Sequence, residues 1–159
     1  MQFQTVFDVV EAGYKNWSFP AFGLILVILF GLCLRFPKFS GALSQALDPG
    51  TRRTIDWLGF IFAVSWVVGT FVGTLGEYLS ARHALLSGQF EVVEGRVAHF
   101  KTTPKQESFE VTGRWFEYSD SVVVPGFNNT RLHGGPIQEG KYVRVTYRGN
   151  AILRLKIAR

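Results

Sequence analysis

The chain has a single cysteine, Cys33, and it lies inside an apolar run. One thiol excludes an intrachain disulfide and any cysteine-based metal cluster, which leaves packing as its role. Charge is scarce too: Asp, Glu, Lys and Arg make up 18% of the residues, against roughly 25% in an ordinary soluble domain. There is no run of Lys and Arg of the kind that marks a nucleic-acid patch, so nucleic acid is not an expected partner. Histidine is limited to His83, His99 and His133. No His-x-x-x-His spacing and no serine in a nucleophile-elbow setting accompanies them. The expectation is therefore no metal, no cofactor and no enzymatic activity.

What the chain does have is apolar residues in blocks. Hydrophobic residues are 47% and aromatic residues 15% of the 159, and they gather in two runs. Trp57 to Gly76 carries no charge and at 1.5 Å per residue is about 30 Å long, the thickness of a bilayer's hydrocarbon core. Asp56 and Glu77 close it, and Trp57 and Tyr78 stand where amphipathic rings favour the headgroup layer. A second uncharged run lies between Lys15 and Arg35, with Pro20 early enough to sit in a first helical turn. A cleaved signal peptide is the rival reading of that run. Asp8 and Glu11 precede it where a basic segment belongs, and no small-x-small cleavage site follows it, so it reads as an uncleaved anchor. The spacing predicts transmembrane helices over about 17–36 and 57–79. Ser65, Gly69 and Gly73 recur every four residues, a small-residue face expected to pack on another helix, the chain's own first span before a second copy.

Arg35, Lys38, Arg52 and Arg53 flank the connection between the spans. Positive residues near span ends stay cytoplasmic. The expected location is the bacterial inner membrane, multi-pass, with both termini and everything after the second span on the periplasmic side. Thr51 or Thr54 is expected to cap the second helix. Ahead of the first span, Phe3, Val6, Phe7, Val10 and Tyr14 follow i, i+3, i+4, i+7 spacing, which predicts an amphipathic helix over Met1–Gly13. The membrane domain is thus expected over 1–88, with Gly88 ending the second helix.

From Phe90 the period becomes alternating. Val93, Val97 and His99 share one face of a first strand, with Gly95 as a bend; Phe109 and Val111 define a second, Phe116 and Tyr118 a third. A turn at Gly113-Arg114 sets Val111 against Phe116, Phe109 against Tyr118 and Glu110 against Glu117. Val143, Val145 and Tyr147, then Leu153, Leu155 and Ile157 after Gly149-Asn150, complete five strands. The reading is an α+β membrane protein: a two-helix transmembrane hairpin, then a small five-stranded antiparallel β-barrel over 89–159. This half also holds the positive balance, with 12 Lys/Arg against 7 Asp/Glu in residues 82–159. The alternation of sign along the strands makes it a solvated surface.

At VVEGRV, ESFEV, FEYSD, GFNNT, HGGPI, GKYVRVTY and ILRL, over roughly Glu91 to Ile157, the chain resembles a group of uncharacterised small bacterial inner-membrane proteins with two transmembrane helices and a C-terminal β-domain. The resemblance implies an envelope protein and brings no activity, cofactor or catalytic residue. The strand succession is similar to an OB-type barrel, with an SH3-like barrel as the alternative. Neither fold names a function.

The best candidate for a site is the long segment 121–140, because a long loop in a compact barrel is usually functional or disordered, with a structural loop packed over the barrel mouth as the alternative. Phe127, Asn128, Asn129, Arg131, His133, Gly134 and Gly135 are its candidate binding residues. Three functions fit: a membrane-anchored binding or accessory module recognising a partner through this loop, a subunit of a larger transporter or channel, and an enzyme using His133. The first needs no catalytic set and no charge in mid-span, and neither is present. Its expected partners are the lipid bilayer and a protein partner or self-association through the spans.

Overall fold

The structure is a computed structural model that describes residues 2–43 and 46–159. Met1, at the head of the expected amphipathic helix, lies outside the described residues. The chain divides into two compact units, Asn16–Gly73 and a second made of Met1–Lys15 with Thr74–Arg159. The architecture is α+β, with two helices long and apolar enough to cross a membrane and a six-stranded antiparallel sheet.

The first unit holds α2 (Ser18–Arg35), one of these helices, a short α3 (Pro37–Leu43) in the connection, and the part of the other, α4 (Pro49–Leu86), up to Gly73, the rest of α4 belonging to the second unit. Pro20 does sit in the first turn of α2, where its missing N–H is harmless. Asp48, not Thr51 or Thr54, begins α4: its carboxylate accepts from Thr51 N at 2.9 Å, with Pro49 at the first helical position. Ser40 donates to Asp56 at 2.6 Å, so the one carboxylate at the head of the apolar run is buried against a hydroxyl. α2 meets α4 where glycine removes bulk. A Cβ on Gly23 would lie 2.7 Å from Trp66 and Val67, and one on Gly59 would lie 2.6 Å or closer to three ring carbons of Phe30. The expected Ser65–Gly69–Gly73 face is not this contact. All three are exposed, and a Cβ on Gly69 or Gly73 meets nothing within 4 Å. The bulky Trp66 and Val67, one position along, are the residues that close on Gly23.

The second unit corrects the expected N-terminal helix. Phe3–Asp8 is strand β1, followed by one turn, α1 (Val9–Ala12), whose N-cap Asp8 accepts from Val10 N at 2.8 Å. β1 pairs with β6 (Ala151–Ala158), and a bulge between Thr5 and Phe7 shifts the register. The shift explains the helix-like spacing: Phe3 and Thr5 point to one face, and the extra residue turns Phe7 to the other, into the core opposite Leu155. A 13-residue helix is marginal alone, and pairing along β6 wins.

The other strands are β2 (Glu91–Thr102), β3 (Glu107–Val111), β4 (Arg114–Tyr118) and β5 (Tyr142–Arg148). Their order is β1-β6-β5-β2-β3-β4. Among the described residues nothing pairs β1 with β4, so this is an open six-stranded sheet and not the five-stranded closed barrel expected. β2 pairs with β5 through its first half and with β3 through its second. The expected bend at Gly95 is instead a regular pairing position where a Cβ would collide with Thr112, and the irregularity of β2 is a bulge between Ala98 and Lys101 that holds His99 at φ 53°. The β3–β4 turn is Thr112-Gly113, both at positive φ, not Gly113-Arg114. Phe109 therefore faces Phe116, and Glu110 faces Trp115 instead of Glu117. Because the slip is two residues, Phe109, Val111, Phe116 and Tyr118 still share the buried face. The turn at Gly149-Asn150 is as expected.

The core of this unit gathers those residues with Val97, Ile137, Val143, Val145, Ile152 and Leu155, and is capped by Val9 and by Ala81, Ala84 and Leu85 at the end of α4. α4 ends as expected at Gly88, at φ 75°, with Gln89 N donating to Ala84 O at 2.9 Å.

Candidate functional site

Between the last turns of α4, strand β4 and the segment after it lies a cleft of about 820 Å³, within the roughly 300–1,000 Å³ usual for ligand sites. Ala81, Val124, Pro125, Phe127 and Ile152 line its apolar part, and Glu77, Ser80, Gln106, Glu117, Arg148 and Asn150 its polar part. Gly126 brings the segment close to β6. A Cβ there would come within 3.0 Å of Ile152 O, and the next amide, Phe127 N, donates to that carbonyl at 2.9 Å.

The rest of the expected binding loop is an ordered cover fastened at several points. Phe127 is buried between Phe7 and Tyr118, with ring centroids 5.7 and 5.2 Å away, so it is core as well as cleft wall. Thr130 O accepts from both His133 N and Gly135 N, at 2.9 and 2.8 Å, closing a 3-10 turn over Arg131–His133. Gly135 is buried against the Asn129–Thr130 backbone, where a Cβ has no room. Gly134, at φ 82°, takes the left-handed step that ends the turn. Asn128 is half-buried and Asn129 exposed. Arg131 and His133 point outward with Leu132, which is 72% exposed. The expected residues thus separate into a buried fastening set, Phe127 and Gly135, and an outward set, Asn129, Arg131 and His133, and of all of them the cleft uses Phe127.

Two carboxylates hold this cover. Glu107, 1% exposed, accepts from the Tyr118 hydroxyl at 2.6 Å and from Arg131 N at 2.9 Å. Burial, and then the adjacent Glu107, push the Tyr118 hydroxyl far above its ordinary range. Asp120 accepts from Thr130 Oγ1 at 2.5 Å and from His133 Nδ1. The Thr130 hydroxyl first, and His133 after it, lower the Asp120 carboxyl. An Asp–His pair of this kind orients an imidazole, as catalytic pairs do. Here the hydroxyl beside it, Thr130, donates to Asp120, so His133 has no nucleophile to activate among its contacts. The pair reads as a clasp on the loop. His99 is elsewhere, stacked on Trp115 and bonded to Glu110 at 2.9 Å.

Sequence reasoning missed Glu107, Asp120 and the cleft's polar residues. Glu107 alternates with Phe109 and Val111, which places it on the core face, and that is the signal that would have found it. Comparison with family models, with curated proteins and with solved structures finds no match to this chain.

Proposed function

We propose that this protein is a membrane-anchored binding module of the bacterial envelope: its two apolar helices span the inner membrane, and its sheet domain holds a ligand or partner on the periplasmic side. The cleft of about 820 Å³ is the observation that carries this reading. It is a cleft lined by apolar residues together with a few polar and charged ones, the composition that recognition sites have. The 121–140 segment acts by building the cleft wall with Val122, Val124, Pro125 and Phe127, more than by presenting its tip.

Site-specific photo-crosslinking in intact cells tests the reading. A photoreactive residue at Val124, in the cleft, is expected to give a discrete adduct that the same residue at Arg82, exposed on α4 and outside the cleft, does not give. Equal labelling from both positions, or none from Val124, removes the cleft as a binding site.

A further inference from the structure

Three charges stand at the cleft, Glu77, Glu117 and Arg148, and among the described residues none of them forms an ion pair. Asp8 pairs with Arg154 and Glu94 with Arg144, while Glu110 and Asp120 each take a histidine. Two carboxylates and one guanidinium within one depression form an arrangement that fits a group carrying both signs, a cation against the carboxylates and an anion against Arg148.

The position of the cleft along the chain narrows the choice. Glu77 is the first charged residue after the uncharged run Trp57–Gly76, and it is also the first residue of α4 that lines the cleft. At 1.5 Å per residue, Glu77 to Ala81 lie roughly 2–8 Å past the end of the run. The headgroup layer adds about 5–7 Å on each side of the hydrocarbon core. If α4 spans the bilayer, the helical wall of the cleft therefore stands in that layer, where phospholipid is the most concentrated amphiphile available. The apolar lining, Ala81, Val124, Pro125 and Ile152, offers an alkyl chain the burial it has in the membrane.

Resting on the reading of the cleft as a binding site, we infer that its occupant is a single zwitterionic phospholipid. The ammonium lies with Glu77 and Glu117, the phosphate with Arg148, and one acyl chain along the apolar lining. The cleft's own charge, one unit negative, disfavours a lipid whose headgroup is only anionic.

Native mass spectrometry of the full chain, released from detergent after exposure to equal amounts of phosphatidylethanolamine and phosphatidylglycerol, tests this. The expected result is one retained phosphatidylethanolamine per chain, favoured about tenfold over phosphatidylglycerol. Ser80→Trp, which fills the cleft from an exposed position on α4, is expected to abolish that adduct. Glu77→Gln with Glu117→Gln, at exposed positions that leave the core untouched, is expected to erase the preference between the two lipids. Adducts that survive Ser80→Trp, or equal retention of both lipids by the wild type, overturn the inference. If no lipid is retained while the Val124 crosslink still forms with a protein, the lipid assignment fails and the cleft stands as a protein site. If neither is seen, both fail.

Discussion

Tyr118 donates its hydroxyl to Glu107 Oε2 at 2.6 Å across the last pair of the β3–β4 hairpin, and both side chains are buried. The other oxygen of the same carboxylate takes Arg131 N, 24 residues further along the chain. A buried carboxylate with no cation is tolerable only when hydrogen bonds satisfy it. Here those bonds also tie the 3-10 turn of the loop to a core strand.

Tyr118→Phe removes the hydroxyl and leaves a buried acceptor without its donor. The expected loss is about 1–3 kcal/mol of stability, since the cost is that of an unsatisfied buried group. Denaturant unfolding of the full chain in detergent measures it. An unchanged midpoint would mean that the hydroxyl contributes nothing to holding Glu107.

The same pair predicts alkaline sensitivity. The folded chain holds the Tyr118 proton far more tightly than the unfolded chain, whose tyrosines release it near pH 10. The contribution to stability is complete below that pH and is lost as pH rises above it, because only the unfolded state gains by deprotonation. Tyr147, raised by burial and by its bond to Glu91, acts in the same direction. Melting temperature is expected to fall above about pH 10, and less steeply in Tyr118→Phe than in the wild type. Parallel slopes would count against the assignment to Tyr118.

Gly135→Ala is expected to cost about 1–3 kcal/mol, the usual range for overpacking. Its Cβ has backbone to displace, the Asn129 carbonyl and Thr130, and backbone closed by two hydrogen bonds cannot step aside as a side-chain tip would. Gly134→Ala, where the obstacle is φ 82° and the space is open, is expected to cost about 1–2 kcal/mol. A thermal melt of each variant distinguishes the ordered cover from a loose loop, in which both would be silent.

The uncharged runs made the two long helices legible, because a span is dictated by length and lack of charge alone. Alternation did the same for β2 to β6, and the buried face of the β3–β4 hairpin survived a wrong turn because a slip of two residues preserves the face. Thr112 hid the true turn. A β-branched residue is a poor choice at positive φ, and what holds it at φ 50° is a long-range bond from its hydroxyl to Glu94 O at 3.0 Å. β1 was hidden by its bulge, which converts a two-residue period into something close to a helical one. The cleft was illegible for a different reason. Glu77, Glu117 and Arg148 come from three separate elements, so no local pattern brings them together.

The topology proposed above rests on Arg35, Lys38, Arg52 and Arg53 around the connection between the helices. Alkaline phosphatase fused after Arg159 is expected to be active, since its disulfides form only in an oxidising compartment. An inactive fusion present at normal abundance would place the sheet domain in the cytoplasm, and the periplasmic assignment would be wrong.

The helix pair offers a comparison between two kinds of glycine on one helix. Gly59 lies under the ring of Phe30, so Gly59→Leu is expected to force α2 and α4 apart and lower stability in detergent by about 1–3 kcal/mol. Gly23→Leu is expected to behave alike, because Trp66 and Val67 already fill the space beside it. Gly69 and Gly73 are exposed, with nothing within 4 Å of a Cβ. Leucine at either is expected to change stability by no more than about 0.5 kcal/mol in the monomer, and glycine's lower helix propensity favours a small gain. Differential scanning fluorimetry of the four variants, with size-exclusion chromatography to fix the oligomeric state, reads the difference. A loss at Gly69 or Gly73 as large as that at Gly59 would mean that another molecule covers this face, and a matching shift in elution would identify it as a second copy of the chain.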